Sequence, residues 1–151
     1  NSLELARVLI AHSDALGRRL RADHVRARTV TLKLKLARPL GQGRYPIITR
    51  SQSLAAPTDD GAEVSRIARA LLERVREPER VRLAGVQVHN LVRDAEVAAA
   101  QLALFGAAPA HDARRDRLNR ALDKVAERFG DEAVTRGLAH AERAAPTRRI
   151  K

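Results

Sequence analysis

Residues 28 to 36 read Arg-Thr-Val-Thr-Leu-Lys-Leu-Lys-Leu, an unbroken alternation of polar and apolar side chains after the first residue. Successive side chains of a strand point to opposite faces. Val30, Leu32, Leu34 and Leu36 therefore form one face, and Thr29, Thr31, Lys33 and Lys35 the other. Such alternation belongs to an antiparallel sheet packed on one side and wet on the other. It predicts an α+β fold with helices on the apolar side. Two readings of the lysine face stand at this point: it keeps a half-buried strand soluble, or it meets an anion.

The flanking segments supply the rest of that fold. From Leu3 to about Arg21, Leu5, Val8, Leu9, Leu16 and Leu20 recur at helical spacing, predicting a first helix that packs on the strand's apolar face. Arg38 to Pro46, with two glycines and two prolines, reads as a loop. Gly41-Gln42-Gly43 within it is no phosphate loop, because neither a helix nor Gly-Lys-Ser/Thr follows. Ile47 to Leu54 is β-branched and hydroxyl-rich and pairs as the antiparallel partner. Asp59 or Asp60 caps a second helix with the stripe Val64, Ile67, Ala68, Leu71, Leu72 and Val75, and Pro78 stops it. Val81 to Leu91 is a third strand whose apolar parity slips around Gly85, predicting a bulge there. Residues 93 to 100 read as a linker or short helix. Leu118, Leu122, Val125 and Phe129 mark a helix ended by Gly130, and Asp131 is placed to cap another.

Charge and composition bound the chemistry. The 151 residues carry 29 Lys+Arg against 18 Asp+Glu, a net charge of +11, which favours polyanionic partners. Residues 1 to 58 hold 11 of the basic and only 3 of the acidic residues, so the excess sits with the opening strand. A hydrophobic content of 44% excludes a wholly disordered chain, and an aromatic content of 2% argues against base-stacking platforms. The absence of cysteine excludes disulfides and thiolate metal sites and fits a reducing, cytoplasmic setting. No apolar run approaches a membrane span. The five histidines are scattered without metal-ligand spacing, and the serines lack evident His/Asp partners, so no hydrolytic or nucleophilic site assembles. The sequence contains no methionine, from which the chain is expected to be a processed or excised piece.

Five segments in order carry a resemblance: Arg28 to Lys35, Thr49-Arg50-Ser51, Pro57-Thr58-Asp59-Asp60, Val81-Arg82-Leu83-Ala84-Gly85-Val86, and Gln101-Leu102-Ala103-Leu104-Phe105. Together they resemble the C-terminal little-finger region of Y-family translesion DNA polymerases, nearest to the bacterial DNA polymerase IV type. The resemblance implies an antiparallel sheet of three to four strands backed by two helices over residues 1-91. A linker with a clamp-binding motif would follow over 92-110, and a helical C-terminal extension over 111-151. It also implies sequence-independent binding of primer-template DNA through Thr31, Lys33, Lys35, Thr49, Arg50, Ser51 and Arg82. Gln101, Leu102, Leu104 and Phe105 would tether the chain to the sliding clamp during translesion synthesis and DNA repair. A second reading makes Asp94 to Phe105 an ordinary amphipathic helix.

The family's first strand would precede Leu3, which leaves three strands with an uncovered edge. The palm, which in the family binds Mg²⁺ and carries out nucleotidyl transfer, is not in this stretch. The chain is therefore expected to bind rather than polymerise and to need no cofactor of its own. Two other functions stand beside this one: an adaptor fragment from a catalytically inactive relative in a mutagenesis complex, and a general basic RNA- or ribosome-binding domain.

Overall fold

A computed structural model describes residues 2–75, 80–105 and 113–137, with the backbone alone described over 101–105. Helix α1 (Ser2–Ala22) leads into β1 (Val25–Leu36), followed by β2 (Ile47–Thr58), α2 (Gly61–Glu73), β3 (Val81–Arg93), α3 (Asp94–Phe105) and α4 (Ala113–Phe129). The three strands form one antiparallel sheet in the order β2-β1-β3, so the alternating strand is central. Both α1 and α2 lie on one side of it, as the α+β reading requires. The core joins Leu9 of α1, Val64, Ile67, Ala68 and Leu71 of α2, Val30, Leu32 and Leu34 of β1, and Ala84 and Val86 of β3.

Three local expectations are corrected. Ile10 is buried on α1, whereas Val8 is 39% exposed, because the helix turns its stripe toward Leu9, Ile10, Ser13, Gly17 and Leu20. Strand β2 continues to Thr58, which pairs with Ala27 across a register shift; an edge strand tolerates Pro57 because its missing N–H need not face a partner. The irregularity in β3 lies at Arg82 rather than at Gly85. Leu36 faces Val81 and Lys35 faces Leu83, so Arg82 is the extra residue, while Gly85 pairs regularly with Lys33. The slip turns Leu83 outward, 64% exposed, and returns Ala84 and Val86 to the core.

The helical layer depends on a backbone-to-backbone approach. A Cβ on Gly17 would lie 2.6 Å from the Gly61 nitrogen, and a Cβ on Gly61 would lie 2.7 Å from the Ser13 carbonyl oxygen. Residue 60 caps α2: the Asp60 side chain accepts from Ala62 N at 3.0 Å. Gly130, at φ 93°, ends α4 as expected, but Asp131 caps no helix there: residues 131 to 134 form a turn and a bend. Pro78, Gly106 to Pro109, and Leu138 onward lie outside the described residues.

Substituting Gly17→Ala or Gly61→Ala tests this crossing. Alanine gains up to about 1 kcal/mol of helix propensity inside α1, but overpacking against rigid backbone costs about 1–3 kcal/mol. Net destabilisation of about 1–2 kcal/mol is expected in chemical denaturation; a gain in stability at both positions would show that the helices separate freely.

Candidate functional site

The side of the sheet opposite the helices is open, and the register determines which side chains share it. Reading across β2, β1 and β3, the rows are Ser53, Thr29, His89; then Ser51, Thr31, Gln87; then Thr49, Lys33, Gly85; then Ile47, Lys35, Leu83. The Thr31 and Ser51 hydroxyls are 2.8 Å apart, and Asn90 Nδ2 donates to Thr29 Oγ1 at 2.9 Å. Lys33 is exposed, and a Cβ added to Gly85 beside it would meet nothing within 4 Å, so the β3 backbone is approachable there.

Lys33, Lys35, Thr49 and Ser51 are therefore brought together on one face of the sheet, where Thr31 lies among them but is buried, 4% exposed, with its hydroxyl against that of Ser51. Arg50 is not among them. It pairs with Leu32, which puts it on the helix-bearing side at the outer edge of β2, where its Nη1 donates to the Thr49 carbonyl at 3.0 Å. Arg82 reaches the lysine end through its bulge. Its Nη1 donates to the Tyr45 hydroxyl at 3.0 Å, and its guanidinium carbon lies 4.6 Å from the centre of that ring. Lys35 Nζ is 5.5 Å from the same centre. Sequence reading placed Thr29 and Gln87 on the solvent side, left Tyr45 in a loop and omitted Ser53 and His89; the signal for the last two was the antiparallel register, which repeats the alternation of β1 on its neighbours.

The charge distribution is one-sided. No residue from His24 to Thr58 is acidic, nor is any from Arg80 to Arg93, so the three strands and the loop joining β1 to β2 contain basic residues without a carboxylate. Exposed threonine and serine hydroxyls beside lysine ammonium groups offer donors to phosphate-like oxygens. Among the described residues no group of three or more histidine or carboxylate side chains is placed to hold a metal ion, and no helix is long and apolar enough to cross a membrane.

Carboxylates collect instead where α1, α2 and α4 meet. Arg21 donates to both oxygens of Asp123 at 2.7 and 2.8 Å, and Arg115 to both oxygens of Asp60 at 3.0 and 3.1 Å. Arg136 pairs with Asp14. Arg115 and Arg136 thus bind the body of the domain instead of standing on a solvated helix face. Burial alone would raise the Asp60 carboxyl, but Arg115, the Ala62 N–H and Asn119 hold it below the usual carboxylate range. Burial pushes Asp59 up, against the pull of Arg26 and with reinforcement from Asp116.

Helix α3 begins at Asp94, whose side chain accepts from Arg26 Nε at 3.0 Å. Its backbone stays helical through Gln101, Leu102, Leu104 and Phe105, whose side chains lie outside those described. The apolar residues of α3 are spread around the helix instead of gathered on one stripe, and of those described Val97 is buried.

The impB/mucB/samB family C-terminal domain matches residues 1–104. A DNA polymerase IV of Desulfatibacillum aliphaticivorans is 36% identical over 123 residues, covering 81% of this chain and 29% of the relative. A DNA polymerase IV of Pelotomaculum thermopropionicum is 31% identical over 137 residues, covering 90% of this chain and 31% of the relative. One of Streptomyces coelicolor is 39% identical over 79 residues, covering 52% of this chain and 15% of the relative. The chain thus spans less than a third of the length of these relatives.

The Asp60 cluster makes a pH-dependent contribution of known sign. A carboxylate depressed in the folded state stabilises fully above its unfolded pKa of about 3.9, and that stability is lost as pH falls through the lower folded value. Asp60→Ala is expected to cost about 1–3 kcal/mol at pH 7, from the lost cap and charge-assisted hydrogen bonds. Asp60→Asn should keep much of the cap yet remove this residue's share of the loss below about pH 4. Urea denaturation at stepped pH reads both; an Asp60→Asn profile parallel to that of the parent would assign the acid sensitivity elsewhere.

Proposed function

The chain belongs to the impB/mucB/samB family as its C-terminal domain, the C-terminal part of a Y-family DNA polymerase, and on that premise we propose that its open sheet face grips the phosphates of a primer-template duplex. One observation carries the reading: Lys33, Lys35, Thr49 and Ser51 occupy adjoining positions on an open face whose strands contain no carboxylate, and the buried Thr31 hydroxyl supports Ser51 from beneath. Hydroxyl and ammonium donors bond to phosphate oxygens, which fixes the position of the duplex without reading its sequence. Arg82 adds a guanidinium at the lysine end, and Arg50 reaches a backbone phosphate around the β2 edge. A grip of this kind ignores the bases, so a damaged template base does not weaken it. Such a domain serves translesion synthesis and DNA repair in the cytoplasm. Nucleotidyl transfer and its Mg²⁺ belong to a palm outside this stretch.

The second half of the proposal concerns α3. Gln101, Leu102, Leu104 and Phe105 tether the polymerase to the sliding clamp, with Gln101 at the rim and the three apolar side chains in an apolar pocket. The sequence supports this by ending α3 in bulky apolar residues on a helix without an apolar stripe of its own.

Neutralising Lys33→Gln and Lys35→Gln together should make the slope of log K against log salt shallower by about 2, because each phosphate contact contributes about 0.9. Fluorescence anisotropy of a labelled primer-template, recorded at stepped salt, measures it; an unchanged slope would take the lysine face out of the interface. Leu104→Ala with Phe105→Ala should weaken clamp binding about tenfold or more, as loss of two apolar anchors does. Undiminished binding in surface plasmon resonance would return the pentapeptide to the fold of α3.

A further inference from the structure

Tyr45 stands in the loop between β1 and β2, and two cations from different strands converge on its ring. Arg82 lies 4.6 Å from the ring centre and also donates to the phenol oxygen at 3.0 Å; Lys35 lies 5.5 Å from the same centre. Arg82 is the extra residue of the β3 bulge, so its backbone does not by itself align it with the rows of the open face. The phenol hydroxyl and ring together fix the guanidinium, and the ring face favours holding both cations in one place. No residue from His24 to Thr58 or from Arg80 to Arg93 is acidic, so these segments supply no carboxylate to the two charges.

We propose that Tyr45 is a positioning residue that gathers Arg82 and Lys35 into one anion-binding corner, which takes a single backbone phosphate of the bound duplex. The proposal rests on the reading of the open face as a DNA-phosphate surface and adds to it the element that aims its guanidinium. An arginine on a flexible stem must be ordered before it can bond bidentately to a phosphate; one already held against a ring loses less freedom on binding.

The experiment uses the 151-residue chain and a labelled primer-template duplex, with anisotropy recorded at stepped salt. Tyr45→Leu is expected to weaken binding about three- to tenfold at low salt and to make the log–log slope shallower by about 1, the value for one phosphate. Arg82→Gln should do the same, and the double variant should be no worse than either alone, because residues acting through one contact are not additive. Tyr45→Phe keeps the ring and should retain most of the affinity. Circular dichroism melting keeps loss of fold apart from loss of contact.

A second measurement uses the composition: the chain has one tyrosine and no tryptophan, so its intrinsic emission reports on Tyr45 alone. Titration with inorganic tripolyphosphate should change that emission saturably in the parent and not in Arg82→Gln. If Tyr45→Leu binds DNA with the parent's affinity and slope while Lys33→Gln with Lys35→Gln is impaired, the positioning role is overturned and the sheet-face reading stands. If the lysine pair, Arg82→Gln and Tyr45→Leu all bind as the parent does, both readings fall. Strictly additive losses for Tyr45 and Arg82, or emission unmoved by tripolyphosphate, would also overturn the proposal.

Discussion

The register of β1 against its two neighbours is the constraint on which the rest of the structure depends. With Thr31 opposite Ser51 and Lys33 opposite Thr49, Val30, Leu32 and Leu34 meet the helices while the lysines meet water. A slip of one residue would reverse every side chain of a strand. Lys33 and Lys35 would then enter a layer already filled by Leu9, Ile67 and Leu71, where an unpaired ammonium group costs several kcal/mol. The same pairing that completes the core therefore selects the composition of the open face. Its polar rows follow from burial on the other side.

This coupling explains what could be read from the residues beforehand. The central strand, the helix stripes and the Asp60 cap were legible because each rests on a short-range period or a local hydrogen bond. Arg50 shows where such reading stops: three consecutive residues were treated as one donor group, although neighbours in a strand necessarily face opposite ways, and pairing places Arg50 across from Leu32. The bulge was visible as a slip in parity, but glycine attracted the assignment that belongs to Arg82. A strand glycine marks either a bulge or an approachable backbone, and Gly85 does the latter. Tyr45 was illegible for another reason. Its contacts join a loop to a residue 37 positions away, and no periodicity encodes that.

The two ends of the charge distribution differ in physical kind. Around Asp60 and Asp123 each charge is paired with an opposite one in partly buried, bidentate geometry, which holds α4 to the helical layer. Salt screens such contacts less than exposed ones. On the open face Lys33 and Arg82 are exposed, Lys35 is half-buried, and the strands offer them no opposite partner. Paired charge at one place orders the chain, and uncompensated charge at the other leaves a surface to be neutralised from outside.

Uncompensated charge is compatible with a stable fold because it costs little while it is wet. Lys33 and Lys35 are two residues apart on β1, about 7 Å along the strand, where like charges in water repel by about 0.6 kcal/mol before salt screening. That is small beside the stabilisation from burying Leu32, Leu34, Ile67 and Leu71, each worth about 1.5–3 kcal/mol. The balance would change under a polyanion of the kind proposed above. Water is displaced, the effective dielectric falls and each ammonium–phosphate attraction grows, while counterions released from the polyanion add a salt-dependent gain. Charges that hardly affect the free domain would thus become effective in the contact proposed above.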